Sequence, residues 1–183
     1  NIPHMHKTLI RAAILAIVCF AACTANVKDV EVGPYTVSVI EKNVYHIQDY
    51  NSTNPAGESF DAEGRITHFN NCSDMYLIVG KEEALLIDLS NDIKWADNAS
   101  ESLRQLVAER TEGKKLTITF THNHGDHVGM LHAYIKDPNV HFALPETDFA
   151  SLVSNYSEAS YSFINEGDVF DLGGIEVESI AVP

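Results

Sequence analysis

Thr121-His122-Asn123-His124-Gly125-Asp126-His127 is the stretch on which the reading of this chain turns. It follows Lys115 to Phe120, where Leu116, Ile118 and Phe120 alternate with Thr117 and Thr119, the period-two pattern of a β-strand. His122 and His124 stand two residues apart just past that strand, so while the chain stays extended their side chains leave one face and reach one cation. Gly125 then lets the backbone turn, and Asp126 and His127 fall at the start of a helical pattern that opens at Val128. The macrodipole of such a helix favours an ionised carboxylate at Asp126. Ionised carboxylates and neutral imidazoles are the forms in which these side chains ligate zinc. Four such groups within six residues suit two neighbouring cations sharing a water, whose pKa the two ions bring near neutrality. The resulting hydroxide is a nucleophile that needs no nucleophilic side chain. The bland alternative is an accidental polar loop, which this spacing on a strand-to-helix turn disfavours.

Outward from the motif the chain mixes strands and helices. Tyr35 to Ile40 and Val44 to Gln48 are short β-branched and aromatic runs around Glu41-Lys42-Asn43 and read as a hairpin. Met75 to Val79 and Ala84 to Ile87 form a second, more continuously apolar hairpin, covered on both faces. Between them, Tyr50 to Asn71 is a long polar loop in which Phe60, Ile66 and Phe69 either anchor the segment or line a substrate cleft. An amphipathic helix is expected from about Asp97 to Arg110, with Gly113 just beyond it. Past the motif, Val128, Leu131, His132 and Ile135 mark one helical stripe ended by Pro138, and Val140 to Ala143 reads as a strand. Glu146 to Val153 is compatible with a further helix, and Gly173-Gly174 joins Asp168–Leu172 to Ile175–Ala181 as a hairpin. The order strand, helix, strand implies a parallel crossover, hence an α/β fold with some antiparallel pairs. No internal repeat is visible.

The chain has 183 residues, enough for one domain with a hydrophobic core. Its 26 acidic and 12 basic residues, net −14, repel phosphate backbones and exclude nucleic acid as an expected partner. Lys7 and Arg11 precede an apolar run, Ala12 to Ala22, shorter than the ~20 residues a membrane span needs. Residues 1–23 therefore read as a signal peptide, with Asn1 to His4 lying ahead of a natural start at Met5. Phe20-Ala21-Ala22-Cys23 resembles a bacterial lipobox, with Phe where Leu is usual. Lipidation of Cys23, plain cleavage at the alanine pair and an uncleaved anchor all stay open. The first two make the mature protein exported, either periplasmic or a membrane-anchored lipoprotein. Cys72 is then the one cysteine of the mature domain, with no disulfide available, and it reads as a small packed residue.

His122-Asn123-His124-Gly125-Asp126-His127 resembles the His-x-His-x-Asp-His signature of the metallo-β-lactamase superfamily. The resemblance runs from about Val27 to Pro183, strongly at the motif and elsewhere by order of elements. It implies a partial αββα sandwich, a mixed sheet with flanking helices, over residues 27–183. It places His122 and His124 in a first metal site and Asp126 and His127 in a second, two zinc ions in the complete domain, other divalent metals remaining open. It also places Asp88, at the end of Leu85-Leu86-Ile87-Asp88, behind the site as a hydrogen-bonding support, against the plain alternative of a turn or capping residue. In this family the next histidine follows a later strand, and Ile180-Ala181-Val182-Pro183 resembles the approach to it, so the domain is expected to be incomplete here.

The function implied is zinc-dependent hydrolysis of a small ester, lactone, thioester or amide, β-lactams included, with Asp126 also handling a proton. The alternative is an exported metal-binding or interaction protein on a non-catalytic scaffold. A redox site with iron would prefer a carboxylate at the position of His124. His46, His132 and His141 read as packed or surface residues, while His68, in the long loop, is a candidate substrate contact.

Overall fold

The computed structural model describes residues 29–49, 59–63, 66–68 and 72–182. The signal segment with Cys23, and Phe69 in the long loop, lie outside the described residues. In chain order come β1 (Val30–Val32), β2 (Tyr35–Glu41), β3 (Val44–Asp49), β4 (Ser59–Phe60), β5 (Ile66–His68), β6 (Asp74–Val79), β7 (Glu83–Ile87) and α1 (Ala99–Thr111). They are followed by β8 (Lys115–Thr119), α2 (Gly125–Val128), β9 (Val140–Pro145), α3 (Glu146–Phe149), β10 (Ser160–Ile164), β11 (Val169–Asp171) and β12 (Glu176–Glu178). Short 3₁₀ segments lie at Leu131–Ala133 and Ala150–Tyr156. Among the described residues no helix is long and apolar enough to cross a membrane.

One eight-stranded mixed sheet dominates, in the order β1-β2-β3-β6-β7-β8-β9-β10. The first two expected hairpins are present as antiparallel pairs, β2 with β3 and β6 with β7, and β7 through β10 run parallel. The expected α/β class with flanking helices is therefore what the chain adopts. The helix α1 makes the crossover from β7 to β8 and buries Leu103, Leu106 and Val107. These side chains join a core with Met75, Leu77, Leu86, Ile118 and Phe142. The long loop contributes a small separate hairpin of β4 and β5, and the glycine pair, with φ of 80° and 93°, turns β11 into β12.

The single helix expected beyond the motif does not form. Only one turn, α2, is helical before a 3₁₀ segment at Leu131–Ala133. The reason is tertiary: the Gly129 and Met130 amides donate to the carbonyls of Ser90 and Leu89, at 2.9 and 2.8 Å, instead of to the preceding turn. Gly129 permits this approach, since a Cβ there would fall 2.1 Å from the Asp92 amide nitrogen. The core anchors of this region are Met130 and Tyr134 rather than the stripe through His132. The helix expected at Glu146 to Val153 likewise shortens to α3 and passes into 3₁₀ geometry. Strand β10, which the sequence reading leaves unassigned, forms the sheet edge beyond β9.

Candidate metal centre

Parallel pairing of β7 with β8 sets Ile87 opposite Thr119, so the chain leaves both strands at the same end of the sheet. Loops beyond the carboxyl ends of parallel strands are where open α/β sheets place their sites. Phe120 secures this end of β8, 3% exposed and stacked on Phe149 at 5.3 Å. The next residue, Thr121, then turns toward β7. Its amide donates to Asp88 Oδ1 at 2.8 Å and its hydroxyl to Asp88 Oδ2 at 2.9 Å. Asp88 is buried and adopts φ 65°, a left-handed conformation that aspartate tolerates better than most residues.

These bonds set the protonation pattern of the imidazoles. The Thr121 hydrogen is committed to Asp88, so the hydroxyl oxygen is left to accept from His122 Nδ1 at 3.1 Å. His127 Nδ1 lies 2.9 Å from Asp88 Oδ2 and donates to it. In their neutral form both rings then carry the proton on Nδ1 and leave a lone pair on Nε2. His122 Nε2 lies 2.9 Å from His124 Nδ1, and His127 Nε2 lies 3.6 Å from Asp126 Oδ2. The His122 and His127 ring centroids are 4.1 Å apart, so the two donor pairs adjoin.

The structure thus brings all five sequence-nominated residues together. An imidazole backed by the Asp88 carboxylate, another backed by the Thr121 hydroxyl, and an adjoining carboxylate are a donor set that fits zinc. Among the described residues, however, no three or more His, Cys, Asp or Glu side chains converge on one point. One expectation is corrected: α2 spans four residues, too short for a substantial macrodipole at Asp126. Asp126 is secured instead through its main-chain carbonyl, which accepts the Ser73 hydroxyl.

Three histidines outside the motif have other partners. His46 Nε2 meets Asp74 Oδ1 at 2.7 Å, and His132 Nε2 meets Ser100 Oγ at 2.9 Å. His141 lies between the hydroxyls of Ser160 and Ser162, each 2.9 Å away, and burial, aided by the charge of Lys115, pulls its pKa down. His68 belongs to β5, and Cys72 is half-buried. The sequence reading missed Asp49 and Ser73, both buried beside the site. An aspartate closing a strand carries no local signal of such a role. A cleft of about 470 Å³ opens beside His122, with Ile87, Phe120, Phe170, Val177 and Glu146 in its walls. A larger groove of about 950 Å³ runs along α1 past Arg104 and holds none of the motif residues.

The sequence model of the Metallo-beta-lactamase superfamily matches residues 73–182. Among solved structures the fold is similar to that of a metallo-beta-lactamase from Pontibacter korlensis, with TM-score 0.56, 20% identity, and coverage of 79% of this chain and 59% of that one. It is also similar to DIM-1 metallo-beta-lactamase, solved after exposure to ceftazidime, with TM-score 0.54, 18% identity, and coverage of 82% and 61%. A protein described as a diflavin flavoprotein from Nostoc sp. PCC 7120 shares the fold at TM-score 0.54 and 17% identity, with coverage of 79% and 54%. The chain thus spans under two thirds of the length of each. No curated protein matches the sequence.

Proposed function

This chain belongs to the metallo-beta-lactamase superfamily, and from that premise we propose that its protein is a zinc-dependent hydrolase of a small ester, lactone, thioester or amide, with β-lactams among the candidates. The observation that carries the reading is the orientation of His122 and His127, whose Nδ1 atoms engage Thr121 and Asp88 so that both Nε2 lone pairs face the other donors of the motif. His122 and His124 would hold one ion, and Asp126 and His127 the other. Zinc in such a setting supplies Lewis acidity toward a carbonyl and brings the pKa of water near neutrality.

The chain's own residues do the rest. Asp88 keeps the His127 proton on Nδ1 and anchors the Thr121 amide, so the loop does not reorganise when a charge arrives. The Asp126 carboxylate, about one third exposed, would take up a proton near the reacting centre. The walls of the cleft beside His122 offer apolar surface for an acyl group. Export and lipid attachment through Cys23 belong to the same proposal, and they suit an enzyme acting on small molecules outside the cytoplasm.

Metal content by elemental analysis, with turnover of a chromogenic ester and of a β-lactam, tests the reading. Zinc binding and hydrolysis that His122→Ala and Asp126→Ala both abolish support it. Activity unchanged in both variants overturns it. The alternative reading is a metal-binding module without turnover. Stoichiometric zinc with no hydrolysis of either substrate would establish that alternative.

A further inference from the structure

Asp49 ends β3 and is 1% exposed, yet the partners of its carboxylate are all neutral. Oδ1 accepts the Ser73 amide at 2.8 Å. Oδ2 accepts the Ser90 hydroxyl at 2.6 Å, the Asn91 amide at 2.9 Å and the Asn91 side-chain amide at 2.9 Å. A buried anion is costly unless hydrogen bonds replace its hydration, and four donors from two distant segments do so here. The Tyr35 phenol stands nearby, and burial, reinforced by the charge on Asp49, pushes its pKa above the ordinary phenol range, so it adds no second anion.

Both arms of this network end on the motif loop. Through one arm, Ser73 donates its hydroxyl to the main-chain carbonyl of Asp126. Through the other, Asp49 holds Ser90 at φ 56°, a strained conformation for serine, and the Ser90 carbonyl accepts the Gly129 amide at 2.9 Å. The amide of Leu89, next to Ser90, donates to the His127 carbonyl at 2.6 Å. Asp88 grips the side chains of Thr121 and His127, whereas the Asp49 network grips the backbone at Asp126 and, just beyond His127, at Gly129.

We infer that Asp49 and Ser73 are positioning residues for the metal loop: the buried carboxylate aims the Ser73 hydroxyl at the Asp126 carbonyl and pins the 89–91 segment against Gly129, presenting the Asp126 carboxylate and His127 Nε2 as a pair. This rests on the metal-binding reading above. A purely structural role for Asp49 would lower stability without altering the metal site. A positioning role alters metal affinity and ligand geometry even in a well-folded variant.

The experiment titrates metal-free protein with cobalt(II), reading the d–d absorption of the bound ion, and measures zinc affinity by competition with a chromophoric chelator. Asp49→Asn and Ser73→Ala are compared with wild type and with Leu106→Ala, a core lesion under α1 outside the network, all with melting temperatures recorded. Zinc affinity should fall about 10-fold or more in Ser73→Ala and Asp49→Asn, with changed cobalt band positions. Leu106→Ala should melt earlier yet keep both the spectrum and the affinity. Should Asp49→Asn fail to fold, Ser73→Ala decides alone. Affinity within twofold of wild type in folded Ser73→Ala, with an unchanged spectrum, overturns the inference and leaves the metal reading standing. A wild-type chain that takes up neither ion overturns the metal reading, and this inference with it.

Discussion

Asp88 Oδ2 and His127 Nδ1 lie 2.9 Å apart although 39 residues separate them along the chain. The parallel pairing of β7 with β8 creates this proximity by delivering both segments to the same end of the sheet. The chemistry follows from what the carboxylate can do, which is accept only. With the Thr121 amide, the Thr121 hydroxyl and His127 all donating to it, the imidazole has no alternative tautomer. Asp88→Asn places an amide where two donors converge, which returns the His127 proton to Nε2. Zinc affinity should drop about 10- to 100-fold by chelator competition. Because asparagine also tolerates the left-handed backbone, the melting temperature should fall less than in Asp88→Ala.

Gly129→Ala tests why the helix after the motif stops. The added methyl would meet the Asp92 nitrogen at 2.1 Å and the Asn91 carbonyl carbon at 2.3 Å, both backbone atoms that cannot swing aside. The loop of residues 89–92 must then withdraw from α2. A loss of about 1–3 kcal/mol in denaturant unfolding is expected from overpacking of this kind. A variant as stable as wild type would show that the close approach is not needed to hold the loop.

These contacts also explain what could be read from the sequence. The hairpins β2–β3 and β6–β7 were legible because Tyr35 to Ile40 and Met75 to Val79 carry their β-propensity and burial in the run itself. The motif was legible because its four groups lie within six residues. The helix expected from Val128 was not, since the groups that end it, the Leu89 and Ser90 carbonyls, come from a distant loop. Asp49 escaped for the same reason, its partners lying 24 to 42 residues away. Strand β10 has the alternation Ser-Tyr-Ser-Phe, but as an edge strand it leaves Tyr161 and Phe163 more than a third exposed, so burial marks no face for it.

His141 gives a pH dependence with a definite sign. Its pKa is lowered in the folded chain, first by burial and then by Lys115, with Glu83 opposing. The unfolded chain therefore takes up the proton more readily, and the stability that His141 contributes is fully present above its ordinary pKa of 6.5. That contribution is lost as pH falls from there through the lowered folded value. Melting temperatures of wild type and His141→Asn, followed from pH 8 to pH 5, should diverge most at neutral pH and converge toward the acid end. Parallel curves would mean that the imidazole between Ser160 and Ser162 does not titrate differently on folding.

Metal linkage offers a test that needs no substrate. An ion that binds the folded chain and not the unfolded one stabilises it by RT ln(1 + [L]/Kd), about 2.7 kcal/mol when free zinc is 100 times Kd. The donors of the two pairs come from Thr121 to His127 on a loop whose shape depends on Asp88, so unfolding scatters the support and leaves at most a weak local site. Added zinc should therefore raise the melting temperature of wild type, and a chelator should reverse the rise. The shift should be smaller in His122→Ala and His124→Ala, which each remove one member of the pair held at 2.9 Å, and smaller in Asp126→Ala, which removes the carboxylate donor of the second pair. Replacing His46, His132 or His141 should leave the zinc-induced shift intact, because each is bonded to a carboxylate or hydroxyl away from the motif. A shift that survives loss of His122 and Asp126, or that vanishes with His132, would place the ion somewhere other than this loop.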